Sequence, residues 1–139
     1  MPPQRRLWDA CIVLGYLSGS KDPDIMPACD LIIDSAERGE WEIVVSTMSE
    51  AEAAYLSGFS AQDAEAKILE FFSRNYVIPA AFDRSVARIA RRLIRAHRLP
   101  QAADAVHMAT SLLWQIPILE TLDTRLLELN NKQGNPPLI

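Results

Sequence analysis

The sequence predicts an α/β fold, in which three layers (α/β/α) are built around a central parallel sheet of four to five strands. Short, apolar and largely β-branched segments such as residues 42–46 are typical of buried strands, and they alternate along the chain with helical patterns. The clearest helical pattern covers residues 82–97, where apolar side chains recur at three- and four-residue spacing. Parallel strands joined through helices are covered on both faces, which gives three layers.

The elements are justified in order by periodicity and by residues that end them. Residues 5–8 form a short strand that ends at Asp9, and residues 12–17 have helical spacing. A turn at residues 20–23 contains Pro23, which suits the first turn of a second helix that carries Ile25 and continues to Ala36. Arg38 and Gly39 end that helix.

The second half of the chain repeats the alternation. After the strand at 42–46, a helix is expected to run through residues 51–58 and another through 61–72, followed by a strand at 76–79. Pro100 breaks the helix that covers 82–97. The remaining expected elements are a helix at 101–114, a strand at 116–119, a short helix at 125–129, a turn-rich segment at 130–135 and an edge strand at 136–139.

Length and composition predict one domain spanning residues 1–139. Two cysteines, Cys11 and Cys29, predict reduced and mostly buried thiols, because a disulfide framework or a zinc site needs more of them. The uncharged run at 10–20 is too short to span a bilayer, which takes about 20 apolar residues. We therefore expect a cytoplasmic protein with no membrane partner.

The net charge of −4 argues against a protein that binds nucleic acid through its overall charge. The helix at 82–98 is nevertheless basic, with six arginines against the single acid Asp83. Four of these arginines are the candidate RNA-binding residues: Arg84, Arg88, Arg91 and Arg95. A solvated helix face, or a surface that pairs with an acidic region, explains the same pattern about as well.

Four acids lie just after a predicted strand or in the first turn of a helix, namely Asp9, Glu52, Asp104 and Asp123. Sites in open α/β sheets form where the carboxyl ends of parallel strands converge, so we expect these acids to form one acidic cluster. Each acid also has a structural interpretation. Residues 49–52 match a capping box, Asp9 and Asp123 suit N-caps, and Asp104 suits the helix dipole.

A cluster of carboxylates predicts a divalent cation, because like charges packed together cannot all stay ionised without compensation. Mg²⁺ and Mn²⁺ prefer carboxylate oxygens and water as ligands. A cation held in this way can activate water and stabilise charge that develops on a phosphate. The sequence has no Gly-rich phosphate loop, and its two histidines give poor support to a Ser-His-Asp hydrolase.

Four segments of the chain resemble the motifs of PIN-domain nucleases, in the order that VapC-like toxins have them. They are Leu-Trp-Asp-Ala-Cys-Ile-Val-Leu at 7–14, Ser-Thr-Met-Ser-Glu-Ala-Glu at 46–52, Asp-Ala-Val-His-Met-Ala-Thr-Ser at 104–111, and Leu-Glu-Thr-Leu-Asp-Thr-Arg-Leu at 119–126. The third and fourth segments carry most of the specificity. The resemblance covers nearly the whole chain and implies a PIN-like fold.

The resemblance also implies an activity, a cofactor and partners. It implies a metal-dependent endoribonuclease in which Asp9, Glu52, Asp104 and Asp123 hold Mg²⁺ or Mn²⁺ and carry catalysis, with Thr121 and Ser46 in support. It implies the toxin role of a type II toxin–antitoxin pair, with RNA as substrate, a small antitoxin as partner and a homodimer as the assembly. The alternative is a PIN-like module that binds RNA or protein with weak or no catalytic activity.

Three positions leave this interpretation open. Cys11 stands where the family often has Ser or Asn, which weakens a supporting hydrogen bond near the cluster. Glu50, two residues before Glu52, is a second candidate for the acid of the second motif. His107 lies one turn after Asp104 on the same helix face, where it would contact RNA, tune Asp104 or simply be packed in the core; His97 continues the apolar stripe and is expected to be structural.

Overall fold

A computed structural model describes residues 2–19 and 26–129, in which short strands alternate with helices. The elements are β1 (Gln4–Trp8), α1 (Ala10–Ser18), α2 (Met26–Glu37), β2 (Trp41–Ser46), α3 (Thr47–Glu52), α4 (Ala61–Phe72), β3 (Val77–Ala80), α5 (Arg84–His97), α6 (Ala102–Leu113), β4 (Leu119–Glu120) and α7 (Thr124–Leu127). The expected turn at 20–23, Ile25 and the segments at 130–135 and 136–139 lie outside the described residues. The single domain over 1–139 therefore stays a prediction.

The strands form one parallel sheet in the order β3-β2-β1-β4. β1 lies in the middle and pairs with β2 through Leu7 and Val44 and with β4 through Leu7 and Leu119. All four strands run the same way, so the segments that follow them leave the sheet at one edge. We call this edge the carboxyl edge; Asp9, the start of α3 and Thr121 are located there.

Side chains alternate between the two faces of the sheet, and each face is covered by helices. On one face Trp8 and Ile43 pack with residues of α1, α2 and α4, and Phe71 of α4 stacks on Trp8 at a centroid distance of 6.3 Å. On the other face Leu7 and Val44 are fully buried, while α5 and α6 pack against one another. The predicted three-layer α/β/α arrangement with a central parallel sheet is therefore confirmed, with four strands in the described residues.

The segment around α3 differs from the prediction in two ways. The N-cap of α3 is Ser46, whose Oγ accepts a hydrogen bond from the Met48 N–H at 3.1 Å, whereas the predicted cap, Ser49, is buried inside the helix. The capping-box interpretation was therefore wrong. The helix also ends at Glu52 instead of continuing to residue 58, because Ala53 adopts a turn conformation with ψ of 61° and its N–H closes the last helical turn on Ser49.

The last strand is also shorter than predicted. Only Leu119 and Glu120 pair with β1, although the expected strand covered 116–119. The chain leaves α6 through Gln115, which has a positive φ of 56°, and Pro117 has no N–H to donate to a ladder. Of the described residues, no helix is both long and apolar enough to cross a membrane.

Candidate active site

Asp9 is the most buried acid of the cluster, with 2% of its surface exposed. It follows β1 directly and caps α1, since its Oδ1 accepts a hydrogen bond from the Ile12 N–H at 3.1 Å. Its Oδ2 accepts a hydrogen bond from the Thr121 hydroxyl. Burial raises the pKa of Asp9 above its ordinary value, and these two hydrogen bonds only partly offset that effect. Asp9 therefore caps α1, as expected from the sequence, although burial disfavours the ionised form of its carboxyl group.

Thr121 joins the segments that follow β1 and β4. Its hydroxyl donates to Asp9 and accepts a hydrogen bond from the Asp123 N–H at 3.0 Å. Next to it, Glu120 accepts hydrogen bonds from the Trp8 indole at 3.0 Å and from the Arg6 guanidinium at 2.8 Å. These contacts lock the ends of two neighbouring strands together and fix Asp9 relative to Asp123. Glu120 was not singled out from the sequence, because nothing in its local pattern distinguishes it from a solvated acid.

Asp104 and Asp123 form a pair on the same edge of the sheet. Asp104 lies in the first turn of α6, and Asp123 begins α7 by accepting a hydrogen bond from the Leu126 N–H at 3.3 Å. Burial, the negative charge of Asp123 and a hydrogen bond with Asp123 raise the pKa of Asp104 from 3.8 to about 6. Asp104 therefore keeps its proton to a higher pH than an ordinary aspartate does.

Glu52 belongs to the same neighbourhood, whereas Glu50 does not. The Glu52 side chain is about one third exposed, and its Oε1 lies 3.2 Å from Nε2 of His107 on α6. The charge of Glu52 contributes to the raised pKa of Asp9. Glu50 is exposed and is not among the main causes of the raised pKa of Asp9 or of Asp104. The structure therefore brings Glu52 to the cluster. Ser46 contributes indirectly, by capping the helix that carries Glu52.

Cys11 shows that the four acids converge. Partial desolvation by neighbouring groups is the first cause that raises the pKa of its thiol, and the negative charges of all four members of the acidic cluster raise it further. Both cysteines of the chain are free thiols, as expected, but Cys11 is exposed, so the expectation of mostly buried thiols holds only for Cys29. An exposed thiol on the first turn of α1 follows from the outward face of that helix.

The donor set of the cluster fits a hard divalent cation, since it consists of carboxylates, the ligands that Mg²⁺ and Mn²⁺ prefer. As the side chains stand, no three His, Cys, Asp or Glu groups of the described residues are close enough to hold one ion together. Like charges are expected to stay apart until a cation compensates them.

His107 is buried, with 2% of its surface exposed, so a direct contact with RNA is excluded in this conformation. Its hydrogen-bonding contact is with Glu52, fifty-five residues earlier in the sequence, while its charge also acts on Asp104. The spacing within α6 predicted that His107 lies next to Asp104, but no sequence pattern predicted its contact with Glu52 on α3. His97 is half-buried at the end of α5.

The six arginines of residues 82–98 are all exposed, and within the described residues none of them makes an ion pair. Both ends of α5 adjoin segments of the site. The Phe82 N–H donates to the Thr47 hydroxyl at 3.0 Å, next to the helix that carries Glu52. His97 and Glu128 line one cavity, so the other end lies near the segment that follows Asp123. The two ends of α5 therefore adjoin the segments that carry Glu52 and Asp123.

Comparison with solved structures identifies the fold. The crystal structure of VapBC2 from Rickettsia felis bound to a DNA fragment from their promoter contains a chain with a TM-score of 0.66 and 15% identity, over 92% of this chain and 95% of that one. A toxin–antitoxin complex from Klebsiella pneumoniae contains a chain with a TM-score of 0.60 and 18% identity, over 86% and 87%. No family model and no curated protein matches the sequence. At these identities the likeness establishes the fold, and the resemblance to VapC-like PIN-domain proteins is confirmed at that level.

Proposed function

We propose that this chain is a metal-dependent endoribonuclease that acts as the toxin of a type II toxin–antitoxin pair. The observation that carries the proposal is the convergence of Asp9, Glu52, Asp104 and Asp123 at the carboxyl edge of a fold shared with chains of two toxin–antitoxin complexes. Acidic side chains gathered from four separate segments at the edge where α/β sheets bind ligands favour a site over four independent helix caps. Mg²⁺ or Mn²⁺ is the proposed cofactor.

Each residue of the site has a stated task in this proposal. Bound Mg²⁺ or Mn²⁺ supplies Lewis-acid stabilisation of the phosphate and activation of a water molecule. Thr121 holds the Asp9 carboxylate by donating to its Oδ2, and it fixes the backbone of Asp123 by accepting from its N–H. Asp104 and Asp123 would hold the cation together with Asp9 and Glu52. The N-termini of α1 and α6 favour negative charge at the same place.

The first test is cleavage of single-stranded RNA by the purified chain. We expect cleavage with Mn²⁺ or Mg²⁺ that stops on addition of a chelator and returns when the metal is restored in excess. The reason is that the carboxylates alone offer no Lewis acid to stabilise negative charge on the phosphate. Gel analysis of a labelled RNA measures both effects. Cleavage that continues undiminished in a chelator would contradict metal dependence, and a chain that cuts no RNA under any of these conditions would contradict the activity.

The arginine face of α5 is the proposed surface for the RNA backbone. Replacing Arg84, Arg88, Arg91 and Arg95 together by Gln is expected to weaken RNA binding and to reduce its salt dependence. Each phosphate contact on a single strand contributes about 0.7 to the slope of log K against log salt concentration. Fluorescence anisotropy at several salt concentrations measures that slope.

Arg38→Gln is the matched control for this surface. Arg38 is exposed and paired with Glu40, which precedes β2 at the edge of the sheet opposite the acidic cluster. We expect the slope of log K against log salt concentration for Arg38→Gln to equal that of the unaltered chain. If the fourfold variant has the unaltered slope, α5 is only a solvated helix face or a surface for an acidic partner.

The proposed partners follow from the toxin role. A small antitoxin is expected to block the site by placing a basic side chain among the acids, because such a side chain compensates the same charges as a cation. The two complexes that share the fold support this partner. The homodimer stays a prediction.

One observation favours the alternative of a binding module without activity. No three of the described acids stand close enough to hold an ion as the side chains are placed. Such a module would gain no thermal stability from Mn²⁺, whereas a metal enzyme gains stability that depends on Asp104.

A further inference from the structure

The contact between His107 and Glu52 joins two helices that carry members of the proposed site. His107 lies on α6, one turn after Asp104, and its ring reaches Glu52 at the end of α3. A carboxylate only accepts hydrogen bonds, so Nε2 of His107 is the donor to Oε1 of Glu52. This contact occupies one oxygen of Glu52, and the side chain as a whole is about one third exposed.

The other nitrogen of His107 is unsatisfied. Nδ1 is buried and has no hydrogen-bond partner in the described residues, and the same is true of Ser111 Oγ one turn further along α6 and of Ser49 Oγ one turn before Glu52 on α3. A buried polar atom without a partner costs about 1–3 kcal/mol, so packing alone does not favour a histidine at this position. The stability of the core therefore does not explain a histidine here, whereas its contact with Glu52 does.

We propose that His107 is a positioning residue that holds the carboxylate of Glu52 in the orientation needed to bind the divalent cation. This inference rests on the proposed function, since it assigns the cation to the acidic cluster. The hydrogen bond fixes one oxygen of Glu52 and restricts the rotation of a long side chain at the last residue of a six-residue helix. Groups that orient a ligating carboxylate typically change metal affinity by 10–100-fold when they are removed.

The experiment compares two substitutions of His107 that differ in one property. His107→Met fills the buried position with an apolar side chain and removes the donor, whereas His107→Gln keeps an N–H near the position of Nε2. Isothermal titration with MnCl₂ measures metal affinity, and urea unfolding without metal measures stability. We expect His107→Met to weaken Mn²⁺ binding about 10–100-fold with no loss of stability, and His107→Gln to restore most of the affinity.

His97→Met is the control, because it replaces the other histidine of the chain on α5, and its Mn²⁺ affinity is expected to be unaltered. Equal affinities for the unaltered chain, His107→Met and His107→Gln would overturn the positioning role and leave the proposed function standing. An equal loss in the Met and Gln variants would also overturn it, since only packing would then matter. An unaltered chain that binds no Mn²⁺ would overturn both.

Discussion

Asp9→Asn is expected to lower the rate of RNA cleavage by about 10²–10³-fold, the size of effect seen when one electrostatic stabiliser of a transition state is removed. The substitution removes a negative charge from the most buried acid of the cluster while keeping its shape. Asparagine caps helices about as well as aspartate does, so its side-chain oxygen can still accept the hydrogen bond from the Ile12 N–H. Asp9→Asn is therefore expected to lower activity without lowering the stability of the fold.

The measurement is a single-turnover cleavage rate at saturating Mn²⁺, together with thermal unfolding of each variant. Asp9→Ala is the comparison for the cap: we expect the same loss of activity and a further loss of about 1 kcal/mol in stability, because alanine cannot accept the hydrogen bond at the N-terminus of α1. Asp34→Asn is the matched control for a lost charge, since Asp34 is exposed on the last turns of α2. Full activity in Asp9→Asn would remove Asp9 from the site.

Asp104→Asn is expected to stabilise the metal-free chain at neutral pH, on the order of 1 kcal/mol after allowance for the solvent screening of a partly exposed group. The pKa of Asp104 is raised from 3.8 to about 6 in the folded chain, first by burial and then by Asp123. The folded state therefore holds its proton more tightly than the unfolded state does. Between these two pH values, stability falls as the pH rises, and above about 6 the ionised group destabilises the fold.

Urea unfolding from pH 4 to pH 8 without metal measures this effect. The unaltered chain is expected to lose stability across the window between the two pKa values, and Asp104→Asn to show a flatter profile, because an amide has no proton to release. Excess Mg²⁺ is expected to reduce the difference in the free energy of unfolding between the two proteins at neutral pH, because it binds the unaltered chain more tightly than Asp104→Asn. Parallel pH profiles for the two proteins would show that Asp104 is solvated and not part of a strained cluster.

The elements of the fold were largely determined by local sequence. Residues 61–72 were predicted as a helix with the observed bounds, and the apolar stripe at 82–97 matches α5 apart from its first residues, where Asp83 caps the helix. Strand β2 was identified from its β-branched run. These signals are strong because periodicity and capping act over a few residues, so no distant contact is needed to decide them.

Where local signals compete, the tertiary structure decided the outcome. The serine at position 49 had the spacing of a capping box, but Ser46 caps the helix because β2 ends at Ser46 and sets where the helix can begin. In the same way β4 has two residues, because its length is fixed by what pairs with β1. The sequence pattern of residues 116–119 carries no information about how many of these residues pair with β1.

The sequence by itself determined the fold class, the order of strands and helices, and the positions of Asp9, Asp104 and Asp123 next to strand ends and helix starts. Glu52 was expected in the first turn of its helix, but it is the last residue of α3. Only the tertiary structure decided which side chains meet: Thr121 with Asp9, Asp104 with Asp123, and Glu52 with His107. Two of these contacts join residues more than fifty positions apart, and the raised pKa of Asp104 arises from burial. Burial and proximity are properties of the packed layers, so no local spacing along the chain encodes them.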